Sequence, residues 1–274
     1  MAADTAAAIR EAAARLAAIS DTPRLDAELL MAHALGVTRE ALLLGGMRGA
    51  VPPGYDALVA RRLAQEPLAY IIGTRDFWTI SLAVAPGVLI PRPDSETLIE
   101  AAVEHFGKAG PKRVIDLGTG SGALLLAALA EWPAATGLGI ERSAAARAIA
   151  TANADRLGLA DRAAIVAGDW AAGIDEAFDL LLCNPPYIES GASLSPDVAG
   201  HEPAEALYAG ADGLDDYRRL APELGRLIAP GGMGAIEIGA DQADAVRKLF
   251  AAEGLAVGIR RDLAGRDRCI VVRH

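Results

Sequence analysis

The sequence predicts an α/β chain with a mostly parallel sheet, preceded by a small bundle of helices. From residue 112 onward, seven apolar runs of strand length alternate with helical segments, whereas the first 66 residues show only short helical patterns with clear start and stop signals. Such alternation is typical of a Rossmann-like sheet with helices on both faces. At 274 residues the chain is long enough to bury a core in each part.

Four helical segments are predicted in the N-terminal part. An Ala-rich segment covers residues 4–19, and a second begins at Asp21 or Thr22, with Pro23 in its first turn, and stops at Gly36. The segments REALLL and PPGYDALVARRLAQE give the third and fourth helices. No strand pattern occurs in this region, which therefore reads as a helical bundle.

A hairpin is predicted between the two parts. The segment FWTISLAVAPGVLIPRP is rich in alternating and β-branched residues around Pro86 and Gly87, and Asp94 then resembles the cap of a helix with the sequence SETLIEAAVEHF. We place the domain boundaries at 1–75 for a helical domain, 76–92 for a β-hairpin linker and 93–274 for the α/β domain.

The seven predicted strands are RVIDLG, ATGLGI, AAIVAG, FDLLLC, GMGAIEIG, LAVGIR and CIVVR. The helices between them are expected near residues 122–131, 143–157, 214–228 and 240–252. The last two strands are joined by a short polar segment and are expected to pair antiparallel. In an open parallel sheet, ligands bind outside the carboxyl ends of the strands, so the loops that follow the strands are the places to look for a site.

Composition and charge exclude several functional classes. The two cysteines, Cys183 and Cys269, cannot form a disulfide framework, and the four histidines lack metal-ligand spacing, so no metal is expected. The net charge is −10, and all of the excess lies after residue 75. A nucleic-acid substrate is therefore not expected. No apolar run is long enough to span a membrane and no secretory signal is present, which favours a cytoplasmic protein.

A glycine-rich turn follows the first strand of the α/β part, in the segment DLGTGSGA. Gly118, Gly120 and Gly122 allow a tight turn and a close approach of the backbone to a ligand. The next strand ends at Glu141, whose carboxylate can accept both hydroxyls of a ribose. Because Gly118, Gly120 and Ala123 also satisfy the loose dinucleotide pattern, these features leave a nicotinamide cofactor and S-adenosylmethionine equally open.

Three further features favour S-adenosylmethionine. Asp116 precedes the glycines and could receive the cofactor's ammonium group or orient the turn. Asp169 and Trp170 follow the third strand and could hold the edge and the face of an adenine. The fourth strand ends in the loop Asn184–Tyr187. Each residue alone could be a cap or a core residue, but their position at the ends of consecutive strands indicates a cofactor site.

The sequence NPPY at the end of the fourth strand suggests a site for a planar nitrogen. Proline restricts the backbone and removes an N–H, so the Asn184 side-chain oxygen and the Pro185 carbonyl can both accept from one NH₂ group. Pro186 stiffens the loop, and Tyr187 can stack on the flat group. Since a sulfonium methyl is already reactive, placement and electrostatic stabilisation could supply most of the rate.

The chain resembles the protein-(glutamine-N5) methyltransferases that modify peptide chain release factors. The segments EPLAYIIG, VLIPRPDSE, DLGTGSGA, GDW, NPPYI, HEPAEAL, GADGLDDYR, EIGADQ and GRDR occur in the family's order and cover nearly the whole chain. The resemblance implies a class I S-adenosylmethionine-dependent methyltransferase with a seven-stranded sheet, a hairpin linker and an N-terminal helical domain that contacts the release factor. The substrate implied is the glutamine of the Gly-Gly-Gln motif.

The resemblance also implies roles for individual residues. The cofactor-binding positions are Gly118, Thr119, Gly120, Ser121, Gly122, Glu141, Trp170 and Asn184, and the substrate-binding positions are Asn184, Pro185, Pro186 and Tyr187. Many members have aspartate where this chain has Glu141, so the longer side chain must be accommodated. Arg142 is unusual for the family and could either lie in solvent, which is favoured, or touch the adenosine.

Other functions remain open from the sequence. A similar loop serves glutamine methyltransferases of ribosomal proteins and adenine-N6 methyltransferases of nucleic acids, although the acidic α/β part disfavours the latter. A dehydrogenase and a non-catalytic scaffold of the translation machinery are weaker alternatives.

Overall fold

The computed structural model describes residues 4–45 and 49–274. The chain forms two compact units: one comprises the chain up to Thr74 together with Leu194–His201, and the other comprises Arg75–Ser193 with Glu202–His274. Each unit has its own apolar core. Among the described residues, no helix has the length and apolar character needed to cross a membrane.

The smaller unit is helical, as predicted. Its helices are α1 (Thr5–Leu16), α2 (Pro23–Leu35), α3 (Arg39–Leu44), α4 (Tyr55–Leu63), α5 (Leu68–Ile72) and, from the later segment, α9 (Pro196–His201). Helix α2 begins after Thr22 and ends at Gly36, which adopts a left-handed conformation, and the Thr38 side chain caps α3. The sequence pattern did not predict α5 or α9.

A buried ion pair joins two helices of the smaller unit. The guanidinium of Arg62 on α4 lies 3.1 Å from the carboxylate of Asp26 on α2, and both side chains are almost completely buried. The Tyr55 hydroxyl donates to the Ala27 carbonyl at 3.1 Å. These polar contacts fix how α2 and α4 pack, since a buried charge without a partner is costly.

The larger unit begins with a two-stranded hairpin, placed earlier than predicted. Its strands are β1 (Thr74–Phe77) and β2 (Ile80–Ala83), so the reversal occurs at Trp78 rather than at Pro86 and Gly87. Trp78 has a φ of 55°, its backbone N–H donates to Glu96, and its indole N–H donates to Glu131. These two carboxylates stabilise the left-handed conformation of Trp78. No glycine in the turn indicates its position in the sequence.

A seven-stranded sheet forms the centre of the larger unit. Its strands are β3 (Arg113–Leu117), β4 (Thr136–Glu141), β5 (Ala163–Ala167), β6 (Phe178–Cys183), β7 (Ile228–Glu237), β8 (Ala256–Arg261) and β9 (Asp267–Arg273). The order across the sheet is β5-β4-β3-β6-β7-β9-β8. Strands β3 to β7 pair in parallel, whereas β9 pairs antiparallel with both β7 and β8. The predicted seven-stranded, mostly parallel sheet, including the antiparallel last pair, is confirmed.

The helices that cover the sheet are α6 (Glu96–Phe106), α7 (Ala123–Glu131), α8 (Ala144–Arg156), α10 (Asp215–Leu227) and α11 (Ala243–Ala252). The prediction that Asp94 caps α6 was wrong. Pro93–Ser95 form a 3₁₀ turn before the helix, and the Asp94 carboxylate instead lies 3.1 Å from the guanidinium of Arg268. This ion pair fastens the turn to β9, next to the carboxyl end of β7.

Packing of α7 against the sheet depends on a strand glycine. Gly137 lies in β4, and a Cβ at this position would stand 2.5 Å from Cδ1 of Leu125. We expect Gly137→Val to lower the free energy of unfolding by about 1–3 kcal/mol, because the added atoms overpack a closed core. Urea denaturation checks this value.

The matched control for this substitution is Gly258 in β8. A Cβ at Gly258 would have Val271 O as its nearest neighbour, at 4.0 Å. Gly258→Val is therefore expected to change the free energy of unfolding by no more than about 0.5 kcal/mol or to increase it. Equal losses in the two variants would contradict the packing explanation.

Candidate active site

A cleft of about 980 Å³, including space open to solvent, lies at the carboxyl ends of the parallel strands. The chain runs outward from β3 to β5 on one side and from β6 to β7 on the other, so the cleft lies at the point where the strand order reverses. Of the predicted cofactor- and substrate-binding residues, those that line it are Asp116, Gly118, Thr119, Gly120, Ser121, Glu141, Asp169, Trp170, Asn184 and Pro186. Gly122, Pro185 and Tyr187 are not part of its wall.

The glycine turn after β3 is anchored to the neighbouring strand. The backbone N–H groups of Gly118 and Thr119 both donate to the carbonyl of Ile140, at 2.9 and 3.0 Å. Gly118 has a φ of 74°, and a Cβ there would lie 3.1 Å from the Trp170 ring. Gly122 precedes α7 with a φ of 85°, and a Cβ on it would meet Leu126 at 2.9 Å. Gly122 therefore shapes the turn from behind, while Gly118 borders the cleft.

Asp116 is the penultimate residue of β3, and only one of its two carboxylate oxygens accepts hydrogen bonds. Its Oδ2 accepts from the Thr119 hydroxyl at 2.6 Å and from the Leu125 N–H at 3.3 Å. Its Oδ1 is buried without a hydrogen-bond partner among the described residues. Burial raises the pKa of Asp116 to about 7, and the charge of Glu141 acts in the same direction. The side chain thus orients the turn and also offers an acceptor beside the cleft.

Glu141 ends β4 with both carboxylate oxygens fixed. Its Oε2 accepts from the Gly120 N–H at 3.0 Å and its Oε1 accepts from the Ser143 N–H at 2.8 Å. These two contacts accommodate the side chain, which is longer than the aspartate of many family members. Each oxygen keeps a lone pair, so the carboxylate can accept two neighbouring hydroxyl groups.

Asp169 and Trp170 follow β5. Trp170 adopts a φ of 51°, and its indole N–H donates to Asp216 at 3.1 Å, which holds the ring beside Gly118. The Asp169 carboxylate lies 2.6 Å from the guanidinium of Arg219 and is more than half exposed. The Trp170 ring therefore forms part of the cleft wall. The Asp169 carboxylate lies at the edge of the cleft and is paired with Arg219.

The loop after β6 presents Asn184 to the cleft in one orientation. The Asn184 Nδ2 donates to the Ser95 Oγ at 3.1 Å. Because the amide nitrogen faces Ser95, the side-chain oxygen is the atom of Asn184 that can accept a hydrogen bond from a ligand. Pro185 and Pro186 are buried, and the Tyr187 hydroxyl donates to Oε1 of Glu237 at 3.3 Å. Burial first, and then the charge of Glu237, raise the pKa of Tyr187.

Sequence reasoning missed several residues that shape this site. Ser95 lines the cleft and holds Asn184, and it lies in the quoted segment VLIPRPDSE. Glu202, from HEPAEAL, accepts from the Ile90 N–H at 3.1 Å and from Arg92 at 2.5 Å. Both residues lie in segments that the sequence analysis quoted, but only the fold shows which partner each residue contacts.

Arg142 was expected to lie in solvent. The side chain is exposed, yet the residue lines the cleft, and its Nη2 donates to the carbonyl of Glu205 at 3.0 Å. Arg142 therefore links the end of β4 to the HEPAEAL segment at the mouth of the cleft. Among the residues that the structure describes, no group of three or more His, Cys, Asp or Glu side chains could hold a metal ion.

Comparison with known proteins identifies both parts of the chain. Residues 7–73 match the family model of the PrmC N-terminal domain, and residues 94–201 match the methyltransferase small domain. A 16S rRNA methyltransferase from T. thermophilus, solved in complex with AdoMet and guanosine, superimposes with a TM-score of 0.53 at 20% identity, over 73% of this chain and 49% of that one. At that identity the likeness concerns the fold.

Sequence relatives extend over nearly the full length. The release factor glutamine methyltransferase of Rhodospirillum rubrum is 46% identical over 93% of this chain and 80% of its own length. That of Caulobacter vibrioides is 44% identical over 92% and 89%, respectively. Identity at this level across both domains carries the assignment that the motifs suggested: the chain belongs to the release factor glutamine methyltransferase family.

Proposed function

We propose that this protein transfers a methyl group from S-adenosyl-L-methionine to the side-chain amide nitrogen of the glutamine in the Gly-Gly-Gln motif of peptide chain release factors. The observation that carries the proposal is the orientation of Asn184. Its amide nitrogen is bound to Ser95, so the side chain offers an acceptor oxygen, at the cleft, to a substrate NH₂ group.

The cleft has the groups that this cofactor requires. The Glu141 carboxylate can accept the two ribose hydroxyls, and the turn from Gly118 to Ser121 leaves room for the backbone to approach the ligand. The open Oδ1 of Asp116 can accept from the cofactor's ammonium group, and a nearby cation would favour the ionised carboxylate. Trp170 offers a flat surface for adenine. Thr119, Asp169 and Asn184 complete the proposed cofactor-binding set, and Gly122 contributes to it by shaping the turn from behind.

The proposed reaction needs little more than placement. When bound, S-adenosylmethionine would supply an electrophilic methyl on a sulfonium: the methyl–sulfur bond breaks as the methyl–nitrogen bond forms, a neutral thioether leaves, and the nitrogen loses one proton to water. Asn184 Oδ1 and the Pro185 carbonyl would each accept one hydrogen of the glutamine NH₂, which holds the nitrogen in line and stabilises the positive charge that develops on it. Pro186 limits the freedom of the loop, and the Tyr187 ring would stack against the flat amide.

The smaller unit is the proposed docking element for the release factor. We keep the boundaries 1–75 for this domain, 76–92 for the hairpin linker and 93–274 for the catalytic domain. Several large apolar side chains are exposed on the helical unit, as expected for a protein-binding surface: Leu25, Leu35, Val37, Leu43 and Leu44. A cytoplasmic location and the absence of a nucleic-acid substrate follow from the same proposal.

The decisive experiment is methylation of an unmodified release factor. The protein is incubated with S-adenosylmethionine and the factor, and the Gly-Gly-Gln peptide is examined by mass spectrometry. A gain of one methyl group on the glutamine is expected. No gain, despite measured cofactor binding, would reject the proposal, and a gain only on a ribosomal protein would favour the ribosomal alternative.

Cofactor preference is measured in the same preparation by calorimetric titration with S-adenosylmethionine and with NAD. We expect binding of the former. Affinity for NAD without affinity for S-adenosylmethionine would support the dehydrogenase alternative instead.

A further inference from the structure

Behind the NPPY loop lies a buried carboxylate that the mechanism above does not use. Glu237 ends β7 and is 1% exposed. Its Oε1 accepts from the Tyr187 hydroxyl at 3.3 Å, whereas its Oε2 is buried and has no hydrogen-bond partner among the described residues. Burial of a carboxyl in this way is costly, so its presence calls for a role.

The carboxyl group of Glu237 lies close enough to Ser95, the residue that holds Asn184, for the serine side chain to affect its pKa. Ser95 is buried, its Oγ accepts from Asn184 Nδ2, and its side chain lowers the pKa of Glu237 against the stronger effect of burial, which raises that pKa to about 7. A serine hydroxyl can accept one hydrogen bond while its own hydrogen turns toward another acceptor. Glu237 therefore binds the Tyr187 hydroxyl directly, and its unpaired Oε2 is an acceptor toward which the Ser95 hydroxyl hydrogen can turn.

Arg268 does not neutralise Glu237 by a direct ion pair. Its guanidinium lies 3.1 Å from Asp94 and 3.3 Å from Asp262, and it also donates to the Ile238 carbonyl at 3.3 Å. The arginine therefore serves two other carboxylates, and Glu237 keeps its acceptor capacity for the loop. Below it, the Tyr217 hydroxyl donates to the Glu237 backbone carbonyl at 2.9 Å, which fixes the end of the strand.

We propose that Glu237 is a positioning residue for the acceptor loop: it fixes the Tyr187 ring through its hydroxyl and, through Ser95, keeps the Asn184 oxygen directed at the cleft. It does not touch the substrate. The inference rests on the proposed function, since it explains what holds Asn184 and Tyr187, the two side chains that would bind the glutamine amide. Small displacements of such groups lower the rate strongly, because the reaction depends on alignment.

The primary test compares Glu237→Leu with Cys269→Ala. Cys269 is the register partner of Glu237 on β9 and is equally buried, and its thiol donates to the Ile270 carbonyl at 3.6 Å. Glu237→Leu is expected to lower kcat for release factor methylation by about 10- to 100-fold while the cofactor Kd stays within twofold. Cys269→Ala is expected to lower the melting temperature but to leave kcat within twofold. An unchanged kcat in Glu237→Leu, or equal loss in the two variants, would overturn the proposal.

Two further variants test the path of the effect. Ser95→Ala and Tyr187→Phe each remove one of the two links, so each is expected to lower kcat by itself and to add little when combined with Glu237→Leu. Effects that multiply fully in both double variants would show that Glu237 does not act through these residues. Glu237→Gln keeps an acceptor for Tyr187 and is expected to recover part of the lost kcat; no recovery would contradict a hydrogen-bonding role.

A measurement without turnover separates this inference from the proposed function. The NMR signals of the Asn184 side-chain NH₂ group are expected to shift in Glu237→Leu and in Ser95→Ala but not in Cys269→Ala. If these shifts occur in a protein that does not methylate release factors, the function is wrong and the positioning role stands. If methylation occurs and neither the signals nor kcat respond to Glu237→Leu, the positioning role is wrong.

Discussion

Replacing Asn184 by alanine is expected to lower kcat by about 10²- to 10³-fold while the affinity for S-adenosylmethionine changes far less. The substitution removes an acceptor whose orientation the Ser95 hydroxyl fixes, and that acceptor mainly serves the reacting NH₂ group. Removal of one preorganised electrostatic contact from an active site costs a factor of this size. Single-turnover methylation of the release factor measures the rate, and calorimetric titration measures the cofactor Kd.

Asn184→Asp is the informative companion variant. Aspartate keeps the oxygen acceptors and the size of the side chain, but it loses the NH₂ group that binds Ser95. We expect partial activity if acceptor strength dominates and the alanine-like rate if orientation by Ser95 dominates. An equal loss of rate and of cofactor affinity in Asn184→Ala would show that the side chain serves the cofactor rather than the amide.

The fold could be predicted because its signals are local. Strand-length apolar runs separated by helices determine a parallel sheet, and the carboxyl ends of those strands then define one edge, which is where Asp116, Glu141 and Asn184 meet. The hairpin was misplaced for the opposite reason. Trp78 turns the chain through contacts with Glu96 and Glu131, and no propensity of residues 77–80 reveals carboxylates that lie elsewhere in the sequence.

The site was predicted as a set of side chains that face a ligand, and the residues that support those side chains were missed. Asn184 stands out because prolines follow it, whereas Ser95 is an ordinary serine before a helix and Glu237 is one of many acidic residues. Their importance arises from contacts across 89 and 50 positions of the chain. Pairings of that separation depend on strand order, which a single sequence does not specify.

Asp116→Asn is expected to weaken S-adenosylmethionine binding by about 10- to 100-fold at pH 8 and, at the same pH, to stabilise the ligand-free protein. Asparagine retains an oxygen for the Thr119 hydroxyl and the Leu125 N–H, but it cannot present a negative charge to an ammonium group. A hydrogen bond to a charged group contributes about 1.5–3 kcal/mol, which corresponds to the expected loss of affinity. Calorimetric titration and urea denaturation at pH 5 and pH 8 measure the two effects.

The sign of the stability effect follows from the pKa of Asp116, which burial raises from 3.8 to about 7. Between these values the folded protein binds more protons than the unfolded chain, so the stability of the unsubstituted protein falls as the pH rises from about 4 to about 7. The asparagine side chain of the variant cannot titrate and escapes this fall, so the advantage of the variant should be greatest above pH 7 and small at pH 4. The upper limit of this advantage is about 4 kcal/mol.

Glu237, whose pKa is also raised to about 7, titrates in both proteins, so its contribution cancels in the comparison. A stability difference that does not change with pH, or unchanged cofactor affinity at pH 8, would show that Asp116 only orients the glycine turn.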